Sequence, residues 1–366
     1  MNKGNKIIVY TFCVIILLLL GAGTMYYLVT EQGLFSQTVI NKLEKEVTVN
    51  ENGIADAVEK LYDSVVVVGV YKKDTLAATG TGFIYKTDDK KAYILTNSHV
   101  VSGASKVTVR FTNESTYEVK IVGSDKYADI AVLSIDKDKI RTVAEIGSST
   151  KARLGDTVFT IGAPVDSDSY SGTVTRGILS GKDRLIEVNA ANYDYDDWVI
   201  RVLQTDAAIN SGNSGGPIAN SNGQVIGITN MKLSTTGVEG IAFAIPIEDA
   251  VEIAEALIKN GKVDRPFLGV GTVSVSTAIY QYGYSLDNDI KEGAIIGQVQ
   301  KGSPADKAGL RQGDVIIKFN DYKIVNSAYL KYYLYQFKID DTIKVTYNRN
   351  GKEETVNVKL VKRTES

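Results

Sequence analysis

Among 366 residues there is one histidine, one cysteine, one tryptophan and only five prolines. Each scarcity excludes something. A lone cysteine, Cys13, closes no disulfide within the chain and builds neither a CxxC redox motif nor a zinc finger. A lone histidine, His99, rules out HExxH metallopeptidases and multi-histidine metal centres, so neither a metal nor another cofactor is expected. Five prolines and 33 scattered glycines do not make a collagen-like or proline-rich chain. Charge of one sign is also missing. The 41 basic residues face 43 acidic ones for a net charge of −2, with no basic block, so nucleic acid is not an expected partner. What is present is an ordinary globular composition, 44% hydrophobic and 23% charged. The length suits two or three domains of roughly 150 residues each. If the chain performs histidine-dependent chemistry, His99 performs it.

One long apolar run exists. Ile7 to Val29 holds 23 residues without a charge, after Lys3 and Lys6. At about 1.5 Å per residue such a helix crosses a hydrocarbon core about 30 Å thick. The flanking lysines favour a cytoplasmic N-terminus and place the rest of the chain outside the cytoplasm. The alternative is a cleaved signal peptide ending near Gly21-Ala22-Gly23. Apolar character resuming at Met25 to Val29 makes the run longer than the usual apolar region of a signal peptide and favours an anchor. Cys13 lies inside this run, away from water and any base, which excludes a cysteine protease.

Four segments are expected: anchor at 1–30, polar stalk at 31–53, a first folded domain at 54–262 and a second at 263–366. Ile54, Ala57, Val58 and Leu61 recur at helical spacing. Short β-type runs then follow one another, from Val65-Val66-Val67-Val68 to Ile241-Ala242-Phe243-Ala244-Ile245, which predicts a barrel or sandwich. Ile247 to Asn260 reads as an amphipathic helix stopped by Gly261.

The sharpest motif is Gly212-Asn213-Ser214-Gly215-Gly216-Pro217. Glycines on both sides of a serine let the backbone turn tightly, expose the hydroxyl and aim amides at one point, as a developing oxyanion needs. The same string fits the nucleophile elbow of α/β-hydrolases. That fold requires a histidine after the serine, and none follows Ser214. The base must come first, and His99 stands just after the apolar run Tyr93-Ile94-Leu95. Asp129 opens the apolar segment Ile130-Ala131-Val132-Leu133, where an acid is expensive without a partner. The three occur in the order His, Asp, Ser, that of the handed-down serine-protease triad.

These segments resemble the trypsin-like protease domain of the HtrA/DegP family. The resemblance rests on Thr79-Gly80-Thr81-Gly82-Phe83, Thr96-Asn97-Ser98-His99-Val100, Ala128-Asp129-Ile130-Ala131-Val132-Leu133, Gln204 to Asn210 and the Ser214 motif. It implies a mainly β chymotrypsin-like double barrel, with Ser214 as nucleophile, His99 as base and Asp129 as its orienting acid. The amides of Gly212, Asn213 and Ser214 would form the oxyanion hole. Ala208, six residues before the serine, would floor the substrate pocket with Ile228 as a wall, favouring small or medium apolar residues. Departures include Ser211 and Ala163-Pro164-Val165, with a polar stretch from Asp166 to Gly172. The family's sensor loop would fall in Lys182 to Ile200, with Arg184 as its coupling residue, and a specificity loop in Asn230 to Val238.

Gly302-Ser303-Pro304-Ala305 and Gly313-Asp314-Val315-Ile316 resemble the PDZ domain that such proteases carry. Phe267-Leu268-Gly269-Val270 matches its carboxylate-binding loop, whose amides capture a peptide C-terminus while the peptide adds a strand. Ser327 to Phe337 would be the helix flanking the groove. The resemblance implies an ATP-independent endopeptidase for misfolded or regulatory proteins, a homotrimer, and control by unfolded or C-terminally exposed polypeptides. A peptide-binding scaffold with an unproductive triad is the alternative.

Overall fold

The computed structural model describes residues 3–30, 51–163, 172–188, 198–230, 240–282 and 290–363. Most of the expected stalk, the 166–171 stretch, the polar-aromatic segment 192–197 and nearly all of the expected specificity loop lie outside the described residues. The chain divides between Asn50 and Glu51 into two units. The first holds helix α1 (Lys3–Thr30), 28 residues without an acidic group in its first turn. By length and composition, Lys3–Leu28 suffices to cross a membrane.

The second unit starts with α2 (Glu51–Tyr62), earlier than the apolar spacing from Ile54 predicted. Six strands then close a barrel: β1 (Val65–Lys72), β2 (Thr75–Thr87), β3 (Lys91–Thr96), β4 (Lys106–Arg110), β5 (Thr116–Asp125) and β6 (Ile130–Asp136). Between β3 and β4 lies one helical turn, α3 (Ser98–Val101). A second barrel follows from β7 (Thr157–Gly162), β8 (Thr173–Val188), β9 (Trp198–Thr205), β10 (Pro217–Asn220), β11 (Val225–Thr229) and β12 (Ala242–Pro246). In each barrel the spatial order is first, second, third, sixth, fifth, fourth strand, with the fourth closing on the first.

Strand periodicity explains the continuous apolar runs. Alternate residues of a strand face opposite sides. Val66, Val68, Ile84, Ile94, Ala131 and Leu133 fill the first barrel. Their neighbours Val65, Phe83, Leu95, Ile130 and Val132 turn outward into a second cluster. That cluster also takes Phe159 and Ile161 from β7, Leu61 from α2, and Ile247, Ala250, Ala254 and Leu257 from α4 (Ile247–Asn260). Strands buried on both faces have no polar face to show, so Ile130-Ala131-Val132-Leu133 reads as unbroken. α4 ends as predicted: Gly261 takes φ 72° and its amide donates to the Leu257 carbonyl at 2.8 Å.

The C-terminal hundred residues build a sheet from β14 (Val270–Ser274), β15 (Ala294–Val299), β16 (Val315–Phe319), β18 (Thr342–Arg349) and β19 (Lys352–Lys359). β13 (Pro266–Phe267) pairs with β20 (Val361–Lys362), and β17 (Tyr322–Lys323) adds to β16. Among the described residues three helices accompany the sheet: α5 (Val275–Tyr282), α6 (Pro304–Lys307) and α7 (Ser327–Leu334), the last shorter than the Ser327 to Phe337 expectation. Pro304 opens α6 and the Ser303 hydroxyl caps it by accepting from Asp306 N.

This module touches the barrels through specific polar contacts. Asn326 Nδ2 donates to both carboxylate oxygens of Glu187, each at 3.0 Å. Arg265 pairs with the buried Asp125, one contact at 2.8 Å, and its guanidinium lies 5.3 Å from the Tyr127 ring and 4.9 Å from the Tyr335 ring.

Candidate active site

The first barrel supplies an acid and a base. β3 ends at Thr96, and α3 lifts His99 from the strand end. Asp129 sits immediately before β6 with φ 54°, a left-handed conformation uncommon for a residue other than glycine. That backbone turn is held by two donors to its carbonyl, Ser98 N at 3.2 Å and Asn97 Nδ2 at 3.0 Å. The carboxylate faces His99: Oδ1 accepts from His99 N at 2.9 Å, and Oδ2 meets the ring Nδ1 at 2.6 Å. Asn230, arriving from the end of β11, donates to Oδ2 at 2.7 Å. The Asp129 residue is only 7% exposed, so its charge is held by donors rather than by water. A carboxylate only accepts, so Nδ1 carries a proton, and in the neutral imidazole the acceptor is then Nε2.

The second barrel supplies the serine. Gly212 and Gly215 take φ 99° and 85°, values that favour glycine. At Gly215 a side chain has no room either, since a Cβ would lie 2.2 Å from the Thr81 carbonyl. The loop is pinned from several sides. Ser214 O accepts from Thr81 N at 2.9 Å, Thr229 O from Gly215 N at 3.0 Å, and Asn213 O from Gly216 N at 3.0 Å. Thr229 Oγ1 also donates to Asn213 O. Ser214 is itself buried at 6% exposure. The loop thus lies between strands of both barrels, with β2 on one side and β11 on the other.

The other expected positions fall unevenly. The Asn213 amide donates to Asn210 O at 3.0 Å, so it is already engaged within the turn and is not available to an oxyanion in this arrangement. Ala208 is exposed. Ile228 is not a pocket wall: it is fully buried among the core residues between the barrels, on a strand buried along its whole length. Nor is 182–200 a single loop. Lys182 to Val188 belongs to β8 and Trp198 to Ile200 to β9, and Arg184 is an exposed strand residue opposite Val202. In the C-terminal module Leu268 packs in the core while Gly269 takes φ 87° with its carbonyl accepting from Gln300 N at 2.9 Å. Phe267 and Val270 flank it, half-buried.

Sequence reasoning missed Asn230, Asn97 and Thr81. Asn97 and Asn230 are common polar residues at strand ends and Thr81 lies in mid-strand, and only the partner reveals the task of each. The resemblance places Asn230 in the specificity loop, yet it is 1% exposed and contacts the carboxylate.

Double barrel, Ser214 loop and appended sheet define a trypsin-like peptidase joined to a PDZ module, and comparison agrees. Residues 80–228 match the trypsin-like peptidase domain family and 266–360 match the PDZ domain family. Serine protease Do-like HtrB of Bacillus subtilis (strain 168) is 41% identical over 336 residues, covering 87% of this chain and 72% of that protein. Serine protease Do-like HtrA of Lactococcus lactis subsp. cremoris (strain MG1363) is 37% identical, covering 94% and 92%. A solved serine endoprotease from Yersinia pestis superposes with TM-score 0.63 at 30% identity, covering 85% of this chain and 98% of that one. The chain belongs to the HtrA/DegP family of serine proteases and is a serine endopeptidase with one PDZ domain.

Proposed function

We propose that Ser214, His99 and Asp129 are the catalytic groups of a membrane-anchored, extracytoplasmic, ATP-independent endopeptidase. One observation carries the assignment: the buried Asp129 carboxylate grips both His99 N and Nδ1, at 2.9 and 2.6 Å. That grip fixes the tautomer whose Nε2 accepts a proton. Ser214 Oγ attacks a peptide carbonyl as Nε2 takes its proton, and the imidazolium returns that proton to the leaving amine. Asp129 stabilises the imidazolium. Water, activated by the same imidazole, then hydrolyses the acyl-enzyme. With the Asn213 amide engaged by Asn210, the oxyanion falls to Gly212 N and Ser214 N. An exposed alanine at 208 offers no charge to a substrate side chain, which favours small or medium apolar residues before the scissile bond.

The protease domain is assigned to 54–262 and the PDZ domain to 263–366, after an anchor at 1–30 and a stalk at 31–53. The backbone amides of Leu268, Gly269 and Val270 are assigned to the C-terminal carboxylate of a bound polypeptide. A relative from Marinomonas sp. (strain MWYL1), 38% identical over 285 residues, is named a probable periplasmic endoprotease, which supports an extracytoplasmic site of action. A solved HtrA-type protease AlgW with a decapeptide, similar at TM-score 0.64 and 28% identity, supports peptide sensing. A chain of contacts from the PDZ module to the residue before Asp129 supports it as well. Asp125, held by Arg265 beside the PDZ tyrosine Tyr335, also accepts from Ala128 N at 2.7 Å, one residue before Asp129. Arg184 is assigned a part in regulation and the protein a trimeric state on family likeness alone.

Fluorophosphonate labelling of the full-length protein in detergent, beside Ser214→Ala, tests the assignment. Labelling dependent on Ser214 and on intact His99 is expected. Its absence, even with unfolded protein and C-terminal peptides present, leaves a peptide-binding scaffold instead. Activation by a peptide with a free C-terminal carboxylate but not by its amide is expected of the PDZ loop; equal responses refute that part.

A further inference from the structure

We infer that Thr81, on a strand of the first barrel, is a positioning residue that holds the oxyanion-stabilising turn of the second barrel in its working shape. This rests on the protease reading above and adds a residue to it.

Thr81 is completely buried, and every polar group it owns is committed. Its amide donates to Ser214 O at 2.9 Å, and its carbonyl accepts from Thr96 Oγ1 at 2.7 Å. Its hydroxyl donates to Gly212 O at 2.6 Å and accepts from Ala163 N at 3.2 Å. One residue thereby holds the two carbonyls that bracket Asn213.

Peptide planarity turns those contacts into an orientation. Within one trans peptide unit the C=O and the following N–H point in opposite directions, so fixing both ends fixes the plane. The 214–215 unit is fixed by Thr81 N on the Ser214 carbonyl and by Thr229 O on the Gly215 amide. The 213–214 unit is fixed at its carbonyl by Gly216 N and Thr229 Oγ1, which aims Ser214 N to the other side. The 212–213 unit is fixed by Asn210 O on the Asn213 amide and, at its carbonyl end, by the Thr81 hydroxyl. Gly212 N belongs to the next unit back, joined to this one through a glycine at φ 99°. Glycine crosses between conformations at little steric cost, so nothing intrinsic keeps that amide aimed. The hydroxyl of Thr81 anchors the carbonyl side of that glycine, so the Gly212 amide turns against one fixed plane rather than between two free ones, and it also ties Ala163 at the end of β7 to the same point.

The test measures kcat and KM of the full-length protein in detergent on a chromogenic peptide with alanine or valine before the scissile bond. Affinity for a peptide boronic acid of the same sequence is measured beside it, because its tetrahedral anion occupies the oxyanion position. Thr81→Val keeps the shape and removes the hydroxyl. It is expected to lower kcat about 10²–10³-fold, the cost of one oxyanion donor, and to weaken the boronate in parallel with KM little changed. Thr81→Ser is expected to retain most of kcat and boronate affinity. A merely structural role would lower the melting temperature while leaving kcat per titrated serine and boronate affinity as in the wild type, and that result overturns the inference. If Thr81→Val does not fold, Thr81→Ser against Thr81→Ala decides, and equal kcat in those two is equally fatal. Wild-type protein without Ser214-dependent turnover refutes the protease reading and this inference together. Active wild type with an unaffected Thr81→Val refutes this inference alone.

Discussion

The two barrels share one strand order and differ in what they hold. The first carries His99 and Asp129 on a short helix and a left-handed turn at strand ends, held by buried side chains around them. The second carries Ser214 on a glycine-rich loop whose shape is set mainly by backbone carbonyls and amides. Proton transfer needs a side chain fixed in one rotamer and one tautomer, and packed polar neighbours do that. Oxyanion binding needs bare amides aimed at one point, and only backbone free of side chains presents them. Each barrel also reaches into the other's half: Asn230 holds Asp129, and Thr81 holds the serine loop. The proposed site lies at the seam between them.

The largest expected effect breaks the division outright. His99→Ala and Ser214→Ala should each lower kcat about 10⁶-fold, and the double variant should be no worse than either, because the groups act as a unit. Additive losses in turnover per mole of folded protein would mean the two barrels act independently. Phe83→Ala tests whether the barrels share one core, since Phe83 is fully buried between them. It should cost about 3–5 kcal/mol. Hydrogen exchange should show lost protection in both barrels, and loss confined to β1–β6 would contradict a shared core.

Asn230→Ala removes one donor from a buried carboxylate, a loss of about 1.5–3 kcal/mol, or roughly 10–100-fold if it appears wholly in kcat. Steady-state kinetics at constant KM should reveal it, and an unchanged kcat would make Asn230 a packing residue. The smallest effect lies away from the seam, at the start of α4. Burial alone pushes the Glu248 carboxyl up, but bonds from Ser149, its own backbone amide, Ser148 and Thr150 N together hold it below the usual glutamate value. A lowered native pKa means stability present above the ordinary glutamate pKa of about 4.3 and lost as pH falls through the native value. The melting-temperature gap between wild type and Glu248→Gln should therefore close as pH drops below that range. A gap independent of pH would remove the carboxylate from the explanation.

Much of the site was legible in the chain because its chemistry is scarce there. With one histidine, the base had no competitor, and the absence of any histidine after Ser214 excluded the α/β-hydrolase order. The α4 helix was legible from its period and from Gly261. Less local properties were not. Asn230 lies 101 residues from the acid it holds, and nothing in its neighbours marks it. Ile228 failed as a pocket residue because all of β11 is buried, and an apolar strand does not announce which of its residues reach solvent. Arg184 was expected in a loop because the resemblance places the family's sensor loop across Lys182 to Ile200, and likeness does not say where β8 ends.

The sequence by itself determined the family's kind of chemistry, the order of the candidate catalytic groups, the presence of an apolar helix long enough for a membrane, and the two kinds of folded module. Residue type and spacing carry those properties, and they survive without coordinates. The tertiary structure decided which ordinary residues became parts of the site: Thr81, Asn97 and Asn230 on one side, and the engaged Asn213 amide on the other. A hydrogen bond is set by distance and direction between groups far apart in the chain, and in this fold those are fixed only when the two barrels close and pack against each other.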